Sequence, residues 1–282
     1  MGSMGSNPGP TGGRLSPLSP GTALAAELLV GGGAKAQWAA STKRSGVDIP
    51  YPFSTSSADR CASSVFRFDC NDTGNGVYKP FYPNVEVLNI SLQLGQLRVL
   101  NYISSSCYNY SSGKMDSSTW NLGLARTPFM LSDSGNKFTV VGCRTLAFIY
   151  QPKVGYYTSG CVSVCRQGGV TSATNGICSG IGCCQTTISN GLDFYGVWFD
   201  DRMNTSRIYS CVPCSYAVLM DSSSFSFSTS YLTSPEFNKT YDGRVPLVLD
   251  WAIRSAINFE EAKKESHVVR VQKRPQQVHK LH

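Results

Sequence analysis

The chain has 282 residues, 15 % of them charged, a formal net charge of +7 and eleven cysteines. That length buries a sizeable core in one large or two small domains, and the low charge with abundant Ser, Thr, Gly, Asn and aromatics argues against a helical cytosolic protein. The positive charge excludes little: residues 41–257 carry a net of +3 and residues 258–282 another +3, so charge alone does not call for a polyanionic ligand.

Residues 1–40 read as a disordered leader or imperfect signal region. The apolar stretch at 22–36 is short and interrupted by Glu27, weak for an export signal. No run of eighteen or more apolar residues occurs, so no membrane span is expected. From Val85 the pattern alternates through Leu94, turns at Gly95-Gln96 and resumes at Leu97, which predicts a β-hairpin. Further strands are expected at 137–142, 146–150, 192–199, 215–220, 224–231 and 245–251, with a turn at Asp133-Ser-Gly-Asn136. Residues 155–185, with five cysteines and little periodicity, read as a stapled loop region. Asn258–Ser266 is the one good helix, with Asn258 as its cap.

Cysteine in this number points to an oxidising compartment. Cys161-x3-Cys165 and Cys211-x2-Cys214 have the spacing of zinc ligands, but no histidine lies near them, and disulfides are the reading adopted. The odd total leaves at least one thiol unpaired or joined to another chain. Adjacent Cys183 and Cys184 are expected to pin two different segments to one point. Five sequons, at Asn71, Asn89, Asn109, Asn204 and Asn238, fit an N-glycosylated surface.

The three histidines, His267, His279 and His282, all lie in the tail. The body therefore lacks a base poised near neutral pH for a nucleophilic triad. Asp200-Asp201 and Asp48, Asp59 and Asp69 offer carboxylates, but adjacent aspartates on a strand point apart and usually mark a solvated turn. No catalytic residue, metal or cofactor is expected, and the chain is read as not an enzyme. Aromatic faces can stack on sugar C–H groups, and Arg or Lys can grip uronate carboxylates. On that chemistry Tyr51, Arg67, Tyr78, Lys79, Tyr82, Arg98 and Trp120 are candidate polysaccharide-binding residues, although any one aromatic in such a chain is more often a core residue.

Ser45-Gly-Val-Asp-Ile-Pro-Tyr-Pro-Phe53 resembles the opening of the galacturonan-binding domain of plant wall-associated receptor kinases. The resemblance continues in order through Phe66-Arg-Phe-Asp-Cys70, Asn136-Lys-Phe-Thr-Val-Val-Gly-Cys143, Ser159-Gly-Cys-Val-Ser-Val-Cys165, Cys178-Ser-Gly-Ile-Gly-Cys-Cys-Gln185, Pro213-Cys-Ser-Tyr-Ala217 and Val245-Pro-Leu-Val-Leu-Asp-Trp-Ala252. It implies a non-catalytic ectodomain of the apoplast or cell wall that binds pectic galacturonan, in a family usually anchored in the plasma membrane. Ser41 and Ser45 stand where the family has cysteines, Ser54 replaces a glycine, and Phe259 replaces a later cysteine. Cys211 is an addition to the pattern and hence the expected free thiol. Cys61, Cys70, Cys107, Cys143, Cys161, Cys165, Cys178, Cys183, Cys184 and Cys214 are expected in disulfides.

The resulting expectation is an all-β, disulfide-rich antiparallel ectodomain in two lobes, 41–150 (galacturonan-binding) and 151–257 (cysteine-rich). Residues 258–282 follow as a short helix and basic tail, with both termini disordered. The rival role is a truncated receptor-like interaction protein that pairs with wall-associated receptor kinases or apoplastic peptides.

Overall fold

Along Gln96–Tyr102 every second residue, Leu97, Val99 and Asn101, is buried. A segment with that period hides one face and must pair its backbone sideways. The computed structural model describes residues 46–251, apart from 56–63, 75, 152–155 and 166–168. Within them such segments assemble four antiparallel sheets.

The smallest sheet is the hairpin β1 (Asp69–Asp72) and β2 (Tyr78–Phe81). The second runs β3 (Val87–Ser91), β4 (Gln96–Tyr102), β15 (Arg244–Trp251) and β8 (Phe129–Leu131). The third runs β12 (Cys183–Thr186), β9 (Asn136–Val141), β14 (Cys214–Asp221), β5 (Ser104–Asn109) and β6 (Lys114–Ser118). The fourth runs β11 (Tyr156–Ser163), β10 (Thr145–Gln151), β13 (Phe194–Phe199) and β7 (Asn121–Gly123).

The five-stranded sheet has a core on each face. Its strand β14 is buried from Ser215 to Asp221 on both faces. Ala217 and Leu219 join a main core with Leu97, Val99, Leu247 and Leu249 of the second sheet and Ile149, Tyr195 and Val197 of the fourth. The alternate residues Tyr216, Val218 and Met220 enter a second core. Two short helices, α1 (Ser230–Thr233) and α2 (Glu236–Thr240), cover that core through Tyr231, Leu232 and Phe237.

Two expectations require correction. Residues 224–231 are not a strand, although Phe-Ser-Phe-Ser alternates. Phe225 and Phe227 pack into the second core while the chain turns through a 3-10 segment (Ser222–Ser224) toward α1, so no ladder partner is used. The 155–185 region is not wholly loop, because it begins with β11 and reaches β12. Each sheet except the β1–β2 hairpin takes strands from both sides of residue 150, the expected lobe boundary. The reason is that β10 and β11 form one hairpin across it and β14 and β15 insert between earlier strands. The leader, the helix expected at 258–266 and Cys61 lie outside the described residues.

Four disulfides join Cys107–Cys214, Cys143–Cys165, Cys161–Cys184 and Cys178–Cys183. Neighbouring Cys183 and Cys184 thus hold two different segments. Cys70, expected in a bridge, sits on β1 opposite Pro80 and has no disulfide partner among the described residues. Cys211 is a free, exposed thiol.

Candidate functional site

Residues 46–101 dock onto the main core through aromatic rings. Phe53 stacks on Phe68 at 5.3 Å and meets Trp251 edge-on at 5.3 Å, and Phe66 lies 5.7 Å from Trp251. Ser54 and Arg67 lie side by side in an isolated parallel bridge, with Phe68 N–H donating to the Ser54 carbonyl. Tyr51, which is 46 % exposed, lies in the loop leading into the bridge that joins Ser54 to Arg67.

Charge concentrates beside the outward face of the second sheet. Glu86 is buried, and its carboxylate takes Lys79 Nζ at 2.6 Å on one oxygen and Arg244 at 3.1 Å on the other. Two cations on one acid leave a local surplus of one positive charge. Arg244 faces Tyr102 across the β4–β15 ladder, and the Tyr102 ring lies 4.6 Å from Trp120. Lys79, Arg244, Tyr102 and Trp120 therefore form one linked group of two cations and two aromatics. Trp120 Nε1 is buried with no hydrogen-bond partner among the described residues.

Arg98 lies further along the same face of β4. Its Nη2 holds Asp221 at 2.7 Å and Ser224 Oγ at 2.5 Å. Burial works against the Asp221 charge, but hydrogen bonds from Ser223, the Arg98 cation and Ser224 Oγ together hold its pKa below the ordinary value. At the end of the sheet Asp250, hydrogen-bonded by Gln96, is pushed the other way by burial.

The seven sequence candidates thus separate. Lys79 and Trp120 belong to the linked group, and Arg98 shares its sheet. Tyr51 and Tyr78 are exposed at the neighbouring loop and hairpin. Arg67 is half-buried with no ion pair among the described residues. Tyr82 is a packing residue, its ring 4.5 Å from Phe129 and its hydroxyl donating to the Val65 carbonyl. Arg244 and Tyr102 were missed, because only the pairing of strands 142 residues apart in sequence brings Arg244 opposite Tyr102. A tyrosine trio was also missed: Tyr108 and Tyr209 stack at 4.2 Å, and Tyr110, 67 % exposed, meets both edge-on.

Among the sequons, Asn71, Asn89 and Asn238 are exposed. Asn109 and Asn204 are half-buried, and their amides donate to Asp116 and to the Asp201 carbonyl. Asp200 and Asp201 do not form a carboxylate pair. Asp200 is clamped by Arg202, which holds its pKa below the usual carboxylate range, and Asp201 faces solvent.

Residues 41–101 match the family profile described as wall-associated receptor kinase galacturonan-binding. That match covers the N-terminal part of the described chain. The chain is similar over much of its length to part of several wall-associated receptor kinases. Identity is 34 % to Arabidopsis thaliana wall-associated receptor kinase 2, over 75 % of this chain and 27 % of that protein. It is 33 % to wall-associated receptor kinase 4 of the same plant, over 74 % and 27 %. Wall-associated receptor kinase 1 gives 29 %, over 73 % and 26 %. The chain therefore spans about a quarter of the length of these relatives. No solved structure matches. Within the matched segment Phe53, Phe66 and Phe68 make the ring contacts described above, and Lys79 is joined to Arg244 through Glu86.

Proposed function

We propose that this chain binds pectic galacturonan without catalysis, as the wall-facing part of an extracellular receptor-like protein. The observation that carries the reading is the galacturonan-binding match at 41–101. The structure adds a physical route. Glu86 fixes Lys79 and Arg244 in place while leaving each cation partly exposed, at 37 % and 29 % of its side chain. Lys79 has further ammonium donors and Arg244 further guanidinium donors for a uronate carboxylate. Tyr102 and Trp120 beside them supply ring faces for the sugar. Arg98, Arg67, Tyr51 and Tyr78 are further proposed contacts within the matched segment.

Binding of a polyuronate by such cations weakens as salt screens it. The test uses the full chain, produced with its disulfides formed, on immobilised polygalacturonate and on a neutral glucan. Retention on polygalacturonate that falls with sodium chloride, and that drops in Lys79→Ala and Arg244→Ala, is expected. Salt-insensitive retention, equal on both polymers and in both variants, sinks the reading. A pairing role with wall-associated receptor kinases finds its specific support in the exposed Cys211 thiol. A covalent dimer on non-reducing electrophoresis, abolished by Cys211→Ser, is its test.

A further inference from the structure

An antiparallel sheet with one face on the core ordinarily turns polar residues to water on the other. The second sheet does so, with Gln96, Arg98, Arg244 and Asp250 outward. The fourth sheet does not. Its inward residues Ala147, Ile149, Tyr195 and Val197 are in the main core. The alternate, outward positions are Leu146, Phe148 and Tyr150 on β10, Phe194 and Trp198 on β13, and Val162 on β11. None is charged.

Glycines give the rings of this face room. Gly160 faces Phe148 across β10–β11, Gly196 faces Tyr150 across β10–β13, and Gly123 faces Phe194 across β13–β7. A Cβ at Gly160 would fall 2.6 Å from the Phe148 ring, and one at Gly196 would fall 2.5 Å from the Tyr150 ring. The rings therefore occupy the space that side chains on the neighbouring strands would fill, and they lie over the sheet. Phe148 and Trp198 face one another across the β10–β13 ladder as a near-parallel pair, with centroids 5.9 Å apart and planes 29° apart. Trp198 remains 37 % exposed and Val162 45 %.

We propose that this outward face, centred on Trp198, Phe148 and Tyr150, is a second carbohydrate-binding surface that takes the C–H faces of a neutral, extended polysaccharide. The chemistry selects that occupant. A contiguous apolar patch on a sheet marks a recognition surface. The near-parallel Phe148 and Trp198 rings, with Tyr150 laid over Gly196 and Phe194 inclined to it at 62°, present ring faces that match the flat hydrophobic side of a pyranose. The absence of cations at these six positions disfavours a uronate, whose carboxylate would be left unpaired. The surface lies outside the 41–101 segment and does not depend on the galacturonan reading.

The test is depletion of the full, disulfide-formed chain on regenerated amorphous cellulose at low and high sodium chloride. Retention that survives high salt is expected. Trp198→Ala is expected to weaken it about fivefold, the equivalent of about 1 kcal/mol, and Tyr150→Ala to weaken it as well. Both variants should keep wild-type retention on polygalacturonate, which separates this surface from the cationic one and shows that they fold. The proposal is overturned if the wild-type chain is not retained on cellulose, or if Trp198→Ala is retained equally. It is also overturned if the substitution instead abolishes self-association in sedimentation, because the face would then belong to a second copy.

Discussion

The segment from 46 to 101 and the rest of the described chain are held by different means. The four disulfides among the described residues all lie between residues 107 and 214. The earlier segment has one described cysteine, Cys70, with no disulfide partner among the described residues. What holds that segment is the packing of Phe53, Phe66 and Phe68 on Trp251 and Phe129, the β3–β4–β15 ladder and the ion pairs at Glu86. A covalent staple acts largely by restricting the unfolded chain, whereas ring packing acts only when the partner surface is formed. The segment proposed to touch polysaccharide therefore depends on the integrity of the second sheet, and the cysteine-rich part depends on redox state.

Removing the longest staple should have the largest effect. Cys107→Ala with Cys214→Ala opens a separation of 107 residues, and loop-closure entropy predicts a loss of about 4–5 kcal/mol. Denaturant unfolding of the paired variant measures it. Trp251→Ala should follow, at about 3–5 kcal/mol for a buried aromatic. Limited proteolysis should then cut first within 46–101, and equal protection of that segment would break the comparison. Cys178→Ala with Cys183→Ala should cost less, about 2 kcal/mol, because only five residues separate the pair.

The smallest effect is electrostatic. Asp221 has a lowered pKa in the folded state, so its contribution is present above the unfolded carboxylate value of about 3.9 and is lost as pH falls through the lower folded value. Asp221→Asn should cost about 1–2 kcal/mol near neutral pH and remove part of the acid-side fall in stability. Melting temperatures across the acid range would show it. An unchanged acid limb would assign the fall to other carboxylates.

Local pattern made part of this legible. The 85–99 hairpin follows from alternation broken at Gly95, whose φ of +63° suits glycine. The continuous apolar run Tyr216–Met220 gives a strand, although only the tertiary fold shows that it separates two cores. The same alternation misled at Phe225 and Phe227, where the rings are buried singly, with no neighbouring strand to bond. Lys79 was readable as a cation on a strand. Its partner Arg244 was not, because their meeting at Glu86 is set by sheet order and no local signal encodes that order. The outward aromatics of the fourth sheet read as ordinary strand residues, since their orientation and the glycines beneath them appear only once the registers are known.

Strand β14 enters between β9 and β5, and β15 enters between β4 and β8. During synthesis, β4, β5, β8 and β9 leave the ribosome long before the strands that fill the gaps between them. Until residue 251 has emerged, two sheets present open edges, and such edges invite pairing with other chains. A nascent or C-terminally clipped chain should therefore require shielding by chaperones. Such a chain cannot complete its sheets even when every residue of the galacturonan-binding segment is present.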